Sequence, residues 1–315
     1  MMSKQQICLL TLLISFTCNL IAQDPEFSQF YANSLYTNPA FAGTECGRVS
    51  MAYRMQYYGM PGGLTNANIA FDQRVNKIGG GVGFMFSHDN AMEGLLKSTH
   101  INAVYAYEYQ INKKVSMRVG LQAGIFQKKI DWDLIRWQNN PFGNNIPRIN
   151  RTVTRANFAL GALIYSNKFY VGLACHNLTE PTQPFFNINS SLPRRITLHG
   201  GYVFALDGKP EPKSTISPNI CIASQGKFTQ VNLGFYANKG PFVAGIWYRQ
   251  SVPNADEVIV LLGYRNGNWK LSYSADATVT KLETAGQTAH ELVLTYQFNT
   301  KRKAPCFPNV RCPSF

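Results

Sequence analysis

Two side chains in the first third of the sequence have the chemistry of a hydrolase site. Ser98 and His100 lie two residues apart in "KSTHINAVYAYEY", and a serine hydroxyl beside an imidazole is a familiar pairing of nucleophile and base. Residues two apart in a strand are neighbours on one face whatever their role, and the sequence places no third group that would orient the imidazole. We therefore interpret the pair as part of a polar wall and predict that the protein is not an enzyme.

Other residue patterns also fail to indicate a cofactor or metal site. The five histidines are scattered without the spacing of metal ligands. The glycine run "GGGVG" at residues 79–83 lacks the pattern and the following helix of a phosphate-binding loop, and it favours a strand with close packing or a bend. No cofactor is predicted.

The charge balance is basic, with 30 Lys and Arg residues against 17 Asp and Glu residues. These cations are spread through turns and loops, whereas nucleic-acid binding needs them gathered on one face with aromatic residues. We therefore exclude nucleic acid as a partner and expect the phosphates of membrane lipids as the counter-charge.

The N-terminus has the pattern of a secretion signal. Residues 1–22 combine Lys4, a short apolar run and a small residue at Ala22, which predicts a signal peptide and an exported protein. Five cysteines follow it, and an odd number is not a disulfide framework. Cys306 and Cys312 could pair with each other, or one of them could pair with Cys46.

Strict alternation of apolar and polar residues dominates the rest of the chain. In "GRVSMAYRMQYY", for example, Met51 and Tyr53 share one face and Arg48 and Arg54 share the other. Such runs recur about fourteen times, and a period of two over this length predicts antiparallel strands with one apolar and one polar face. The ninth run is the weakest, because Pro218 cannot donate a hydrogen bond to a neighbouring strand.

The connections between these strands favour a membrane barrel over a soluble β-sandwich. Alternate links are generally short, and the other set includes the three long ones, at residues 127–153, 176–195 and 278–288. Outer-membrane barrels have this asymmetry, and an even strand number puts both termini in the periplasm. Seven strands also place an aromatic residue at the short-turn rim of the apolar face, as an interfacial girdle requires: Tyr109, Phe169, Phe204, Phe242, Tyr264, Trp269 and Phe298.

The sequence therefore predicts an all-β transmembrane antiparallel outer-membrane barrel of about 14 strands. Its expected parts are a signal peptide (1–22), an N-terminal periplasmic or plug segment (23–46), the barrel (47–298) and a basic, Pro- and Cys-containing periplasmic tail (299–315). The expected location is the bacterial outer membrane, in contact with its lipids.

The stretch "FSQFYANSLYTNPAFAG" at residues 27–43, followed at once by an Arg-bearing strand, resembles the N-terminal signature of the PorP/SprF family. These are outer-membrane proteins associated with the type IX secretion system and gliding machinery of Bacteroidota. The resemblance covers essentially the mature chain, and its most specific parts are Gln29, Phe30, Asn38, Pro39 and Gly43.

The resemblance implies a barrel that binds, guides or anchors a secreted surface protein bearing a C-terminal secretion domain. It also implies contact with a periplasmic or peptidoglycan-binding lipoprotein. The candidate partner-binding residues are the five of the N-terminal signature, joined in the tail by Arg302, Cys306 and Cys312. Two other functions stay open at this point, namely an outer-membrane porin or small-solute transporter, and a lipid-modifying barrel that uses Ser98 and His100.

Overall fold

The computed structural model describes residues 24–57, 62–131, 152–185, 188–207, 212–252, 256–279 and 288–298, together with Cys312. Its core is a closed barrel of 14 antiparallel strands. The predicted signal peptide lies outside the described residues. In the described ranges, no helix combines the length and the apolar character that crossing a membrane requires.

The first half of the barrel is formed by seven strands that follow one another along the chain. They are β1 (Gly47–Gln56), β2 (Leu64–Val75), β3 (Gly80–Ala91), β4 (Leu96–Gln110), β5 (Ser116–Ile130), β6 (Thr152–Tyr165) and β7 (Phe169–His176). A separate small hairpin of β8 (Thr182–Phe185) and β9 (Ile188–Ser191) follows in the connection after β7.

The second half contains another seven strands. They are β10 (Arg195–Tyr202) with its continuation β11 (Phe204–Ala205), β12 (Ser214–Gln225), β13 (Phe228–Lys239), β14 (Phe242–Val252), β15 (Glu257–Asn266), β16 (Trp269–Thr278) and β17 (Thr288–Gln297). Each strand pairs with its neighbours in the chain, and β1 pairs with β17 to close the barrel, with Met51 opposite Leu294. The predicted fold class is confirmed.

Pro218 lies inside β12, where its missing N–H falls at a break in the ladder. On the side of β12 that faces β10, the pairs stop at Asn219 and resume at Ile216 with β11. Val203 lies at this break, and its amide nitrogen donates on the β7 side, to the carbonyl oxygen of Lys168, 2.6 Å away. A proline is tolerated in this strand because the partner strand is interrupted beside it.

Alternation along the strands separates an apolar outside from a polar inside. Met51 and Tyr53 of β1 are 48% and 47% exposed, whereas the alternate residues Ala52 and Arg54 are 5% and 0% exposed. At the short-turn rim, five of the seven predicted girdle residues are exposed outward, namely Tyr109, Phe204, Phe242, Tyr264 and Trp269. The other two, Phe169 and Phe298, are half-buried.

Residues 24–46, which we call the lumen segment, lie inside the barrel and run from one end to the other. They contain one helical turn, α1 (Ser34–Thr37), and a 3-10 turn at Pro39–Phe41. Two further 3-10 turns, at Asn76–Ile78 and Met92–Gly94, connect strands of the wall. The sequence left open whether the lumen segment is periplasmic or a plug, and the structure places it within the lumen.

The two ends of the described chain lie at opposite ends of the barrel. Asp24 contacts Asn177 and Gln225, at the end that carries the long connections after β7 and β5. Gly47 and Phe298 lie at the short-turn end, where the amide nitrogen of Phe298 donates to the carbonyl oxygen of Gly47. Asp24 therefore lies at the end of the barrel opposite to Gly47 and Phe298, because the chain before β1 runs through the lumen. The periplasmic location of both termini stays a prediction.

Candidate functional site

The lumen segment is anchored at the long-loop end by the first residue that the structure describes. The amide nitrogen of Asp24 donates to Gln225 Oε1 at 2.9 Å. The Asp24 carboxylate accepts from the side-chain amides of Asn177, at 2.7 Å, and Gln225, at 3.1 Å. These bonds fix the depth at which the chain enters the barrel, since they join it to the ends of two separate wall strands.

A cluster of buried charges surrounds Ser28, a few residues further along. The Ser28 hydroxyl donates to Asp276 Oδ2 at 2.5 Å and accepts hydrogen bonds from Arg54 and Arg249. Both arginines also pair with the Asp276 carboxylate, at 2.8 Å and 3.1 Å. We call Arg54, Arg249, Asp276 and Glu291 the charge cluster, and all four side chains are almost wholly buried. Burying charges is costly unless they are paired, so the cluster depends on the segment for part of its pairing.

Glu291 of the charge cluster binds the backbone of the lumen segment. Its two carboxylate oxygens accept from the amide nitrogens of Ser28, at 2.6 Å, and Gln29, at 3.2 Å. The side chain of Asn33 donates to the same carboxylate at 3.3 Å. A carboxylate that accepts from consecutive backbone N–H groups replaces the bonds that a helix or strand would give them.

Gln29 makes three further hydrogen bonds to the wall. Its Oε1 accepts from the hydroxyl of Ser272 at 2.5 Å, and its Nε2 donates to Ser274 Oγ and to the carbonyl oxygen of Glu291, both at 3.2 Å. Gln29 is 1% exposed, so removal of its side chain would leave these wall groups buried, with neither a protein partner nor water to hydrogen-bond.

Aromatic rings fill the middle of the lumen. Phe30 packs edge-on against Trp247 with ring centroids 4.7 Å apart. Tyr31 contacts Tyr170 at 5.7 Å and Tyr236 at 5.4 Å, so it bridges strands on two sides of the barrel. These contacts place a cluster of apolar rings in the middle of the lumen, and aromatic rings bury a large apolar surface.

Asn38 holds the turn that follows. Its Oδ1 accepts from the amide nitrogen of Ala40 at 2.8 Å, which caps the 3-10 turn. Its Nδ2 donates to the carbonyl oxygens of Ala162, at 3.0 Å, and Leu173, at 3.3 Å, and lies 3.0 Å from His199 Nε2. The Asn38 side chain therefore caps the turn and also joins it to the strands behind it.

Gly43, near the end of the lumen segment, adopts a left-handed conformation with φ of +71°. Its amide nitrogen donates to Asp72 Oδ2 at 2.9 Å. Arg118 donates to the carbonyl oxygens of Ala42 and Gly43, and its charge is paired with Glu108 at 2.7 Å. A residue with a Cβ is strained at this φ, which explains a glycine at this position.

A row of glycines on the wall, which we call the glycine face, allows the turn to approach the strands closely. A Cβ placed on Gly120 would lie 2.6 Å from the Cα of Ala40, and a Cβ placed on Gly81 would lie 2.6 Å from the Cα of Gly43. Atoms in van der Waals contact need at least about 3.4 Å, so no larger residue fits without moving the segment. The glycine face consists of Gly81, Gly120, Gly161 and Gly172.

The structure brings together the five candidate residues of the N-terminal signature. Gln29, Phe30, Asn38, Pro39 and Gly43 all lie in the lumen segment and contact the inner wall of the barrel. Their contacts in this structure are with the chain itself. A role of these residues in binding a partner stays a prediction.

Of the three candidates in the tail, only Cys312 is described, and Arg302 and Cys306 lie outside the described residues. Cys312 is buried beside Phe41 in the short-turn end of the lumen. Burial raises the pKa of its thiol, so the group is neutral and a poor nucleophile. Cys175, Cys221 and Cys312 carry free thiols.

Sequence reasoning missed the charge cluster and the glycine face. The prediction that Arg54 lies on the polar side of its strand is confirmed, but nothing in the local pattern brings it together with Asp276, which is far away in the chain. The run "GGGVG" correctly indicated close packing, and its Gly81 belongs to the glycine face. The run itself does not indicate that the lumen segment packs against it.

The candidate nucleophile and base do not form a hydrogen-bonded pair within the described structure. His100 packs against Phe126 with the rings tilted and their centroids 4.8 Å apart, and its Nε2 lies 4.0 Å from Asp89 Oδ2. Ser98 lies opposite Asp89 and Lys128 in the sheet. Among the described residues, no group of three or more His, Cys, Asp or Glu side chains has the arrangement of a metal site.

A closed barrel of 14 antiparallel strands, apolar outside and polar inside, defines an outer-membrane β-barrel protein. The chain belongs to the family of type IX secretion system membrane proteins PorP/SprF, whose family model matches residues 19–296. The resemblance noted in the sequence is thereby confirmed. No curated protein matches the chain.

Solved structures with a similar fold include two proteins described as carrying aromatic compounds. The toluene transporter TbuX of Ralstonia pickettii is 10% identical with a TM-score of 0.54, over 84% of this chain and 93% of that chain. The monoaromatic hydrocarbon channel CymD is 12% identical with a TM-score of 0.50, over 85% of this chain and 93% of that chain. At these identities the likeness concerns the fold alone.

Proposed function

We propose that this protein is an outer-membrane component of type IX secretion that binds, guides or anchors a secreted surface protein with a C-terminal secretion domain. In this proposal the long connections face the cell exterior and the short turns face the periplasm. The short-turn end contacts a periplasmic or peptidoglycan-linked partner. Family membership supports the link to type IX secretion, and the filled lumen supports a role in binding over a role in conduction.

The occupation of the lumen by the chain's own residues 24–46 carries this proposal. The lumen segment bonds to the wall through Gln29, Asn38 and Gly43, and its aromatic rings fill the centre of the barrel. Three cavities beside it have volumes of about 40, 30 and 30 Å³. Each holds only a few water molecules, because a water needs roughly 10–15 Å³ by this measure.

A solute transporter is the second candidate, favoured by the barrel's likeness to TbuX and CymD. It requires the lumen segment to leave the barrel or to rearrange, since its side chains occupy the space that a solute would cross. Its departure would remove from the charge cluster the Ser28 hydroxyl that accepts from Arg54 and Arg249, and the backbone N–H groups that donate to Glu291. Because buried charged groups depend on all of their hydrogen bonds, we rank this function below partner binding.

The proposed function is not catalytic. Ser98 and His100 have no hydrogen bond to each other in the described structure, and a nucleophile needs its base within about 3.2 Å. Ser98→Ala should leave partner binding and lipid composition unchanged. A change in membrane lipids that follows Ser98→Ala or His100→Gln would favour a lipid-modifying enzyme instead.

The decisive experiment is extraction of a tagged copy from its native outer membrane in mild detergent, followed by mass spectrometry of the bound proteins. A second outer-membrane barrel of the same host, tagged in the same way, serves as the control for non-specific capture. The proposal expects a large secreted protein with a C-terminal secretion domain, or a peptidoglycan-binding lipoprotein, in the first sample only. A bare barrel that also gives steady single-channel conductance in a planar bilayer would overturn it in favour of transport.

A further inference from the structure

Every short turn of the barrel carries an exposed basic residue. In the described strand order, six connections lie at this end, after β2, β4, β6, β11, β13 and β15. One exposed cation lies in or beside each of them, and we call these six residues the cation ring: Lys77, Lys113, Lys168, Lys213, Lys239 and Arg265. Within the described part of the chain, none of the six side chains makes a hydrogen bond or an ion pair. Their charges are therefore available to a ligand outside the protein.

Positive charge is in clear excess at this end of the barrel. In the described residues of the six turns, the one carboxylate is Asp207, and Lys114 adds a further cation beside Lys113. Among the described lumen residues at this end, three carboxylates are matched by four cations, namely Glu45, Asp72 and Glu108 against Arg48, Arg74, Arg118 and Lys270. The interior therefore does not neutralise the cation ring.

The opposite end of the barrel has no such excess. Its described connections carry four carboxylates and two cations, namely Glu93, Asp131, Glu180, Asp256, Arg194 and Lys227. Glu180 and Arg194 pair with each other at 3.4 Å. The two ends of the barrel thus differ in the sign of their charge, although the chain as a whole is basic.

The position of the cation ring favours a lipid leaflet as its counterpart. The strands pair in chain order, so the six turns follow one another around the whole circumference. A leaflet surrounds a barrel on every side, whereas a globular partner contacts one part of its rim.

The aromatic girdle gives the depth of the ring in the membrane. Lys239 lies opposite Phe242, which is exposed outward, and residues opposite each other in a sheet share one face. Arg265 follows the outward Tyr264 directly in the chain. Girdles of aromatic residues lie at the membrane–water interface, so these cations lie at the level of the lipid headgroups.

We propose that the cation ring binds the phosphate groups of anionic lipids in the leaflet that surrounds the short turns. The ammonium and guanidinium groups donate to phosphate oxygens, while their alkyl stems lie beside the aromatic girdle. An anionic lipid binds better than a zwitterionic lipid, because the zwitterion carries its own cation next to the phosphate. This inference rests on the barrel and its charges and does not depend on the proposed function.

Trp269 provides the measurement, because it lies at the short-turn rim, is 51% exposed and is opposite Asn266, the residue after Arg265. The purified full-length protein is placed in vesicles of equal parts phosphatidylglycerol and phosphatidylcholine, with brominated acyl chains on one lipid at a time. Bromine quenches tryptophan fluorescence on contact, and the quenching that is lost in Trp269→Phe belongs to Trp269. We expect phosphatidylglycerol to be enriched about fivefold at this residue at low salt, which corresponds to about 1 kcal/mol.

Arg265→Gln combined with Lys239→Gln should bring this preference close to one, because it removes the two cations on the neighbouring turns. Arg265→Lys combined with Lys239→Arg keeps the charges and should retain the preference. Lys227→Gln is the matched control, since it removes an exposed cation at the opposite end of the barrel and should also retain it.

Equal quenching of Trp269 by the two lipids would overturn the proposal and favour an acidic protein as the counterpart of the ring. A preference that the double glutamine variant keeps would overturn it as well. Higher salt should weaken the preference, since it screens exposed charges. None of these results affects the mass-spectrometry test of the proposed function.

Discussion

Replacing Gly120 by alanine tests whether close packing on the glycine face holds the lumen segment in the barrel. The new Cβ would lie 2.6 Å from the Cα of Ala40, about 0.8 Å inside the ordinary contact distance of roughly 3.4 Å. It would lie closer still to the backbone of Pro39. The turn must therefore move away from β5 by about 1 Å.

A shift of that size breaks the hydrogen bonds that fix the turn. Asn38 Nδ2 lies 3.0 Å and 3.3 Å from its two carbonyl acceptors, and the Gly43 nitrogen lies 2.9 Å from Asp72. Lengthening these distances by about 1 Å takes them beyond hydrogen-bonding range. Moving the turn relieves the overpacking but breaks these three hydrogen bonds, each worth about 1 kcal/mol, so we expect a loss of about 3 kcal/mol. This value is at the upper end of the roughly 1–3 kcal/mol that overpacking usually costs.

Hydrogen exchange of the lumen segment, followed by mass spectrometry in detergent, measures this change directly. If the segment exchanges by leaving the wall, a loss of about 3 kcal/mol speeds the exchange of residues 38–43 by about two orders of magnitude. Gly263→Ala is the matched control, since its Cβ would lie 3.3 Å from the Ser272 side chain and away from the segment.

The reasoning is refuted if the Gly120→Ala barrel protects residues 38–43 as well as the wild type does. Should that variant fail to assemble, Asn38→Ala weakens the same turn from the side of the segment and leaves the wall intact. It removes the cap to Ala40 and both donated hydrogen bonds. Faster exchange confined to the segment would then support the same conclusion.

Three further predictions follow from the lumen. Asp276→Asn should lower the free energy of unfolding by about 3 kcal/mol in a denaturant titration, because it weakens the pairing of two buried arginines. Glu180→Gln is the control, since it removes an exposed ion pair and should cost less than about 1 kcal/mol in the same titration. An epitope placed before Asp24 should be accessible from the same side of the membrane as an epitope in residues 177–194. An epitope at residues 240–241 should be accessible from the opposite side. If the epitope before Asp24 were accessible from the side of residues 240–241, the lumen segment would not run through the barrel. Deletion of the lumen segment should give steady conductance in a planar bilayer where the intact protein gives none, and a silent deletion variant that still folds would show that other residues close the lumen.

The strands and their faces could be predicted because each depends on local pattern. Eight or more alternating residues in β1, β4 or β14 specify both the strand and the side that faces outward, since a shift of one residue would turn the apolar set inward. Of these, β14 alternates between exposed and buried along its whole length, from Phe242 to Val252. The prediction of a barrel rested on the asymmetry of the links between the strands and on the aromatic residues at the short-turn rim.

The start of β6 was harder to place. The alternation of apolar and polar residues predicts a start near Ala156, whereas the strand begins at Thr152. The first four residues include Arg155, whose exposed side chain donates to the carbonyl of Thr154. Polar residues at the end of a strand resemble loop residues, so the boundary depends on pairing with β5, in which Lys129 lies opposite Thr152.

By itself, the sequence determined the class of fold, the inside and outside of the wall, and the family, because periodicity and the N-terminal signature are both patterns of residues close together in the chain. Only the tertiary structure decided what fills the lumen and where the chain before β1 goes. Ser28 meets Asp276, and Gly43 meets Gly81, across separations that no local pattern reports. Those contacts exist because 14 strands close into a ring, and closure brings distant polar side chains and glycines around one segment that can pair with them.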